Sequence, residues 1–382
     1  MKVLCVFGTR PEAIKLAPVI KELDKYPAQI ISRVCVTAQH REMLDQVLGL
    51  FAIVPDYDLN IMQDSQSPTQ VAAAMLAKLE SVLQQEQTDW VLVQGDTTTV
   101  AVASLAAFYA RVKVGHVEAG LRTFDKWQPF PEEVNRRVTS AIADLHFAPT
   151  QRAKDNLIRE GINPKSILVT GNPVIDALYQ VAQLPYEPSC GPLRDVPLNK
   201  RLILVTAHRR ENFGRPLEQI CLALRDIALI YAGEVHIVYP VHLNPNVQEV
   251  AQRMLGDVAD ITLLAPLDYL PLVYLMKHVT LVLTDSGGIQ EEAPALGKPV
   301  LVLREVTERP EAVEAGTVRV VGTDRARIVA WTRRLLDDRK EYEQMAQAVN
   351  PYGDGHAAER IVKALLGETI TPFEPLAKMR LS

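Results

Sequence analysis

VLCVFGTRPEAIKLAPVIKEL, residues 3–23, carries the pattern that decides the fold. Residues 3–7 are apolar at every position, as in a strand buried on both faces of a parallel sheet. Gly8 breaks the run, and Pro11 supplies the fixed φ that suits a first helical turn. From there Ala13, Ile14, Leu16, Ala17, Ile20 and Leu23 recur at helical spacing, so 12–23 reads as a helix. A buried strand, a tight turn and a covering helix make the first half of a β-α-β unit.

The same unit repeats outward. Strands are expected over 30–37, 90–94, 112–117, 145–148 and 167–169, with helices over 41–50, 69–84 and 98–109. The alternation then stops. Residues 184–200 hold Pro185, Pro188, Pro192 and Pro197 with no period, which marks a linker. It restarts with strands over 202–206, 235–238, 261–264, 281–284 and 300–303, and helices over 325–336 and 342–349 close the chain. The expected architecture is α/β: two doubly wound Rossmann-like domains facing across a cleft. The first spans 1–183 and the second 201–365, with 366–382 a tail that packs back on the first.

Composition narrows the function. A chain of 382 residues with 48% hydrophobic content supports two cores, and a net charge of −5 lacks the basic footprint of a nucleic-acid binder. Any anionic ligand must be caught by a local cluster. Cys5, Cys35, Cys190 and Cys221 have neither zinc nor redox-pair spacing, which implies a reducing, cytoplasmic setting. The longest apolar stretch, 100–110, falls short of the roughly 18 residues that span a bilayer, so no membrane association is expected.

Ligands of doubly wound sheets bind at the carboxyl ends of the strands. One such end carries Gly8-Thr9-Arg10, with Lys15 a turn further along, an arrangement suited to a diphosphate at a helix N-terminus. Another carries Asp285, Ser286, Gly287 and Gly288, where ligand oxygens can approach backbone N–H groups and Glu292 can reach a ribose diol. Asp96 and Glu118 also stand at strand ends, where buried carboxylates are costly unless used or paired. Glu132 and Arg136 are i,i+4 neighbours on a helix, and a surface ion pair is the commoner meaning of that spacing. His208 alone among the eight histidines opens a strongly polar strand-end run. No HExxH spacing or GxSxG elbow is present, so no catalytic metal is expected. The Gly8 turn is neither a GxGxxG nor a Walker loop, so nicotinamide and P-loop readings lose ground.

Taken together, GTRPEAIKLAPVI at 8–20, GDTTT at 95–99, HVEAGLRT at 116–123, PEEVNR at 131–136, TGNPVIDAL at 170–178, TAHRRENFG at 206–214, TDSGGIQEEAPALGKPVLVLRE at 284–305 and TERPEAV at 307–313 resemble the non-hydrolysing UDP-N-acetylglucosamine 2-epimerases. The resemblance runs in order to about residue 365. It implies a GT-B-type fold, a homodimer, and interconversion of UDP-GlcNAc and UDP-ManNAc without an added organic cofactor, to supply bacterial surface polysaccharides. By the same resemblance Asp96, Glu118, Glu132, Arg136 and His208 are catalytic. Arg10, Lys15, Ser286, Gly287, Gly288, Glu292 and Arg309 hold the nucleotide, with Leu267 and Leu272 against the uracil. It further implies that Gln39 and His40 bind UDP-GlcNAc as an activator at a second site. Three alternatives share parts of the pattern: a hydrolysing epimerase releasing UDP and ManNAc, a GT-B glycosyltransferase, and a nucleotide-sugar sensor.

Overall fold

The computed structural model describes residues 1–37, 41–61 and 66–375. Gln39 and His40, the expected activator contacts, lie outside the described residues. The chain forms two compact units. The first comprises Met1–Tyr179 and Tyr352–Glu374, and the second contains Gln180–Pro351.

The first unit is built on strands β1 (Lys2–Phe7), β2 (Ile31–Val36), β3 (Tyr57–Asp58), β4 (Trp90–Gln94), β5 (Lys113–Val117), β6 (Leu145–Ala148) and β7 (Ile167–Val169). They form one parallel sheet in the order β3-β2-β1-β4-β5-β6-β7. The order reverses between β1 and β4, the switch point at which doubly wound sheets place their ligands. The apolar runs seen in sequence become central strands: Leu4, Cys5, Leu92 and Val93 are fully buried. Helices Pro68–Glu86 and Thr98–Tyr109 cover one face of this core through Met75, Leu79, Val100 and Ala107.

The second unit repeats the plan with β8 (Arg201–Thr206), β9 (Val235–Pro240), β10 (Ile261–Leu264), β11 (Leu281–Thr284), β12 (Val300–Val302) and β13 (Val318–Val320). Its parallel order is β10-β9-β8-β11-β12-β13, with the switch between β8 and β11. Helix Arg215–Ile230 buries Leu217, Ile220, Leu224 and Ile227 against Ile203, Val205 and Ile237.

The division differs from the expected boundaries at both ends. Residues 184–200 belong to the second unit and bury Leu193 and Val196, so this stretch is packed structure. Helix Ala357–Leu365, expected in the second domain, belongs to the first unit and lies against helix Arg10–Leu23. Its apolar stripe of Ala358, Ile361, Val362 and Leu365 requires a partner, and the carboxylate of Asp176 caps its N-terminus by accepting Ala357 and Ala358 N–H at 3.2 and 2.8 Å.

Cys5, Cys35 and Cys221 are fully buried free thiols. Burial pushes the thiols of Cys35 and Cys221 up to about 12, which leaves them unreactive at neutral pH. Among the described residues no helix is long and apolar enough to cross a membrane.

Candidate active site

In the first unit the turn after β1 opens helix Arg10–Leu23 through a capping box. The Thr9 hydroxyl accepts Glu12 N–H, while Glu12 Oε2 accepts the N–H groups of Gly8 and Thr9 at 2.8 and 2.7 Å. Glu12 Oε1 also accepts the hydroxyl of Thr97, in the turn after β4, at 2.5 Å. Burial raises the affinity of Glu12 for a proton, against the pull of these hydrogen bonds. Arg10 is the first residue of the helix and half-buried.

Glu118 follows β5 with φ +62°, a left-handed conformation that costs a non-glycine residue of order 1 kcal/mol or more. Lys15 Nζ donates to both its oxygens, at 2.7 and 2.6 Å. Gln94 donates to Oε2 and Asn172 to Oε1, the latter at 2.9 Å. Lys15, expected to face a diphosphate, therefore pairs with Glu118. Nothing in the sequence marks Gln94 or Asn172 for this role. Each precedes or sits within a recognised motif, but only the fold shows that both amides converge on one carboxylate.

Asp96 lies in the turn after β4. Arg136 forks onto its Oδ2 through Nε at 2.9 Å and Nη2 at 2.6 Å, and Nη1 donates to Glu133 Oε2 at 3.1 Å. Burial works against the guanidinium's charge, and Asp96 and Glu133 together more than restore it. Arg136 thus serves Asp96 and Glu133, and not Glu132 as helix spacing suggested. Glu133, wholly buried, also accepts the N–H groups of Thr123 and Phe124 at 3.2 and 3.1 Å and so holds the 123–124 turn. Glu132, at the start of helix Glu132–Ile142, keeps a buried Oε2 with no hydrogen-bond partner. A buried carboxylate oxygen without a partner is costly unless water or a ligand supplies a donor.

His116, on β5, is fully buried and its Nε2–H donates to the Gly95 carbonyl at 2.8 Å. Burial lowers its pKa to about 3, so the folded state keeps it neutral. An unfolded histidine takes up its proton near 6.5. Between those values the unfolded chain binds the extra proton, so this residue lowers stability as pH falls from about 6.5 towards 3. At pH 5 the expected loss is roughly 2 kcal/mol. Urea unfolding at pH 7.5 and 5.0 checks it: His116→Gln, which still donates to Gly95, should show a shallower acid loss than the wild type. An equal loss in both would contradict the assignment.

In the second unit Asp285, fully buried at the end of β11, organises the turn after β8. Its Oδ2 accepts the N–H groups of His208 and Arg209, both at 2.8 Å, and Asn212 Nδ2 at 3.0 Å. The His208 Nδ1 lies 3.5 Å from Oδ1, and its ring stacks on His242 at 5.2 Å. Burial lowers the His208 pKa; Asp285 opposes this, while His242 and Arg209 add to it.

Ser286 precedes helix Gly287–Ala295 and makes no side-chain cap bond. Arg309 and Arg209 bring Nη2 atoms within 3.7 and 3.8 Å of where a Cβ on Gly287 would sit. Two guanidiniums therefore lie beside this helix N-terminus, where their charge and the backbone dipole have the same sign. Arg309 is anchored by Glu291 and by Thr307, whose hydroxyl accepts its N–H at 3.0 Å. Glu292, one turn on, accepts the Tyr269 hydroxyl at 2.6 Å. Leu267 is buried and Leu272 half-buried, both beside or on helix Tyr269–His278. Among the described residues no group of three or more His, Cys, Asp or Glu side chains is arranged to hold a metal ion.

Each of the two units has a doubly wound parallel sheet, the GT-B-like fold that solved UDP-N-acetylglucosamine 2-epimerases share. The family profile described as UDP-N-acetylglucosamine 2-epimerase matches residues 21–366. The chain is 58% identical over 371 residues to the UDP-N-acetylglucosamine 2-epimerase of Salmonella typhimurium, covering 96% of this chain and 98% of that protein. It is 56% identical over 379 residues to that of Escherichia coli K12, covering 97% and 100%. The crystal structure of UDP-GlcNAc 2-epimerase from Neisseria meningitidis bound to UDP-GlcNAc is similar at TM-score 0.87 and 50% identity, over 96% of this chain and 100% of that one. The chain belongs to the UDP-N-acetylglucosamine 2-epimerase family, and it is an isomerase.

Proposed function

We propose that the protein interconverts UDP-GlcNAc and UDP-ManNAc by eliminating UDP, passing through 2-acetamidoglucal, and adding UDP back to the opposite face. The hydrogen on the sugar's second carbon is not next to a carbonyl, so direct removal is too difficult. Departure of UDP leaves an oxocarbenium-like anomeric carbon that acidifies it. Such a site needs fixed positive charge for the departing diphosphate and acid/base groups for two faces of the sugar. Arg10 in the first unit is suited to the first need, and so, in the second unit, are His208, Arg309 and the Ser286–Gly287–Gly288 turn, with Glu292 for the ribose and Leu267 and Leu272 for the base. Asp96, Glu118 and Glu132 serve the second. Lys15 and Arg136 orient two of these carboxylates through hydrogen bonds.

The observation that carries this reading is the contrast within the carboxylate set. Glu118 and Asp96 are held by cations, whereas Glu132 has a buried oxygen with no partner. A glycosyltransferase has no need of three such groups. We place the enzyme in the cytoplasm as a homodimer, the setting that the resemblance and the free buried cysteines support.

Proton NMR of the protein with UDP-GlcNAc alone tests the reading. A new UDP-ManNAc anomeric signal should grow to a stable mixture of two UDP-sugars. Continuous release of free ManNAc would favour the hydrolysing reaction, and an unchanged spectrum would favour a sensor.

A further inference from the structure

Glu12 takes no part in the chemistry above, yet it is only 2% exposed and both its oxygens are engaged. Its bonds to Gly8 and Thr9 N–H are those of a helix cap. Helix Pro68–Glu86 starts with the same kind of box on the surface, formed by Ser67 and the neutral amide of Gln70. Capping therefore does not require a buried carboxylate, which is costlier to desolvate than an amide. What Glu12 adds is its bond to Thr97, 85 residues away in sequence.

Thr97 follows Asp96, and its oxygen accepts Val100 N–H at 3.4 Å, so the hydroxyl proton is directed at Glu12. Arg10 follows Thr9. One carboxylate thus ties the turn bearing Arg10 to the turn bearing Asp96, on the neighbouring strands β1 and β4. The β1 turn has no slack on its other side. A Cβ on Gly8 would lie 2.1 Å from Thr37 Oγ1 and 2.9 Å from Thr99 Oγ1, and those two hydroxyls are 3.3 Å apart.

We infer that Glu12 is a positioning residue that, through the Thr97 hydroxyl, fixes Arg10 relative to Asp96 for the epimerisation; this rests on reading those two as site residues. A misplacement of about an ångström can cost about 100-fold in rate. A lost tie should therefore appear in kcat more than in KM.

The test compares kcat, KM and melting temperature for Thr97→Val, Thr97→Ser, Glu12→Gln, Arg10→Ala, Asp96→Asn and the Arg10→Ala/Thr97→Val double variant, with Gln70→Ala as a capping control. Thr97→Val should lower kcat by about 10- to 100-fold with little change in KM, and Thr97→Ser should restore it. Once Arg10 is gone its placement no longer matters, so the double variant should be no slower than Arg10→Ala. Gln70→Ala should move only the melting temperature. Wild-type kcat in Thr97→Val, or losses that multiply in the double variant, would overturn the inference. If Arg10→Ala and Asp96→Asn both keep wild-type kcat, the reading of the site fails first. Should Glu12→Gln not fold, the two Thr97 variants decide the matter alone.

Discussion

Glu132→Gln should lower kcat by about 100-fold or more, the usual scale for a general acid/base group, while leaving the melting temperature close to that of the wild type. The two halves of that expectation come from one feature. Glu132 Oε2 accepts no hydrogen bond, so replacing the carboxylate by an amide of the same shape breaks no bond made through that oxygen. Its partners in the fold are few, whereas Glu133 beside it accepts from two backbone N–H groups and two arginines. Glu133→Gln should accordingly show the opposite profile, a clear loss of stability. Steady-state kinetics and thermal melts on both variants check the contrast. A folded Glu132→Gln enzyme with near-normal kcat would return Glu132 to a helix-start role.

Arg136→Met should destabilise the protein by about 3 kcal/mol and also remove most activity. Breaking a buried ion pair from one side leaves the other charge uncompensated, at a cost of roughly 3–5 kcal/mol. Glu133, wholly buried, would keep its backbone donors and the more distant Arg137, which places the effect at the lower end. Asp96 would lose the fork that orients it. Arg136→Lys separates the two losses. An ammonium restores charge, but as a compact point charge it cannot reproduce the planar fork to Asp96 and Glu133 together. Stability should largely return in the lysine variant, while kcat stays at least about 10-fold down. Full recovery of kcat would mean that charge alone matters at this position.

The strands were legible because a parallel strand covered on both faces is apolar at nearly every position, and β1, β4, β8 and β11 are of that kind. The two strands the sequence did not reveal are edge strands. Tyr57–Asp58 is two residues long, and Val318–Val320 carries Arg319 at its centre. Neither has the uninterrupted apolar run of a central strand. The placement of helix Ala357–Leu365 on the first unit was illegible for a different reason. Its amphipathic stripe shows that it needs a partner, but nothing local says which core supplies one.

The topological rule singles out candidate residues at strand ends but says nothing of their hydrogen-bond partners. Glu118 could be picked from its position after β5. Its donors Lys15, Gln94 and Asn172 come from sequence distances of 103, 24 and 54, which no spacing rule connects. Glu132 and Glu133 look interchangeable in sequence, and helix spacing pairs Arg136 with the first of them. The structure assigns one carboxylate to holding the turn and leaves an oxygen of the other unpaired. A sequence signal for Asp285 did exist: it stands at the strand end just before the Ser286–Gly288 turn, and it proves to be the residue that holds His208 and Arg209 in place.

The most direct test of elimination and re-addition is the fate of the hydrogen on the sugar's second carbon. UDP-GlcNAc incubated with the enzyme in deuterated water should return as a mixture of UDP-GlcNAc and UDP-ManNAc, both deuterated at that carbon. Free ManNAc should not accumulate in step with turnover. Epimerised UDP-ManNAc that keeps its original hydrogen would contradict the account, and so would release of free ManNAc stoichiometric with substrate consumed.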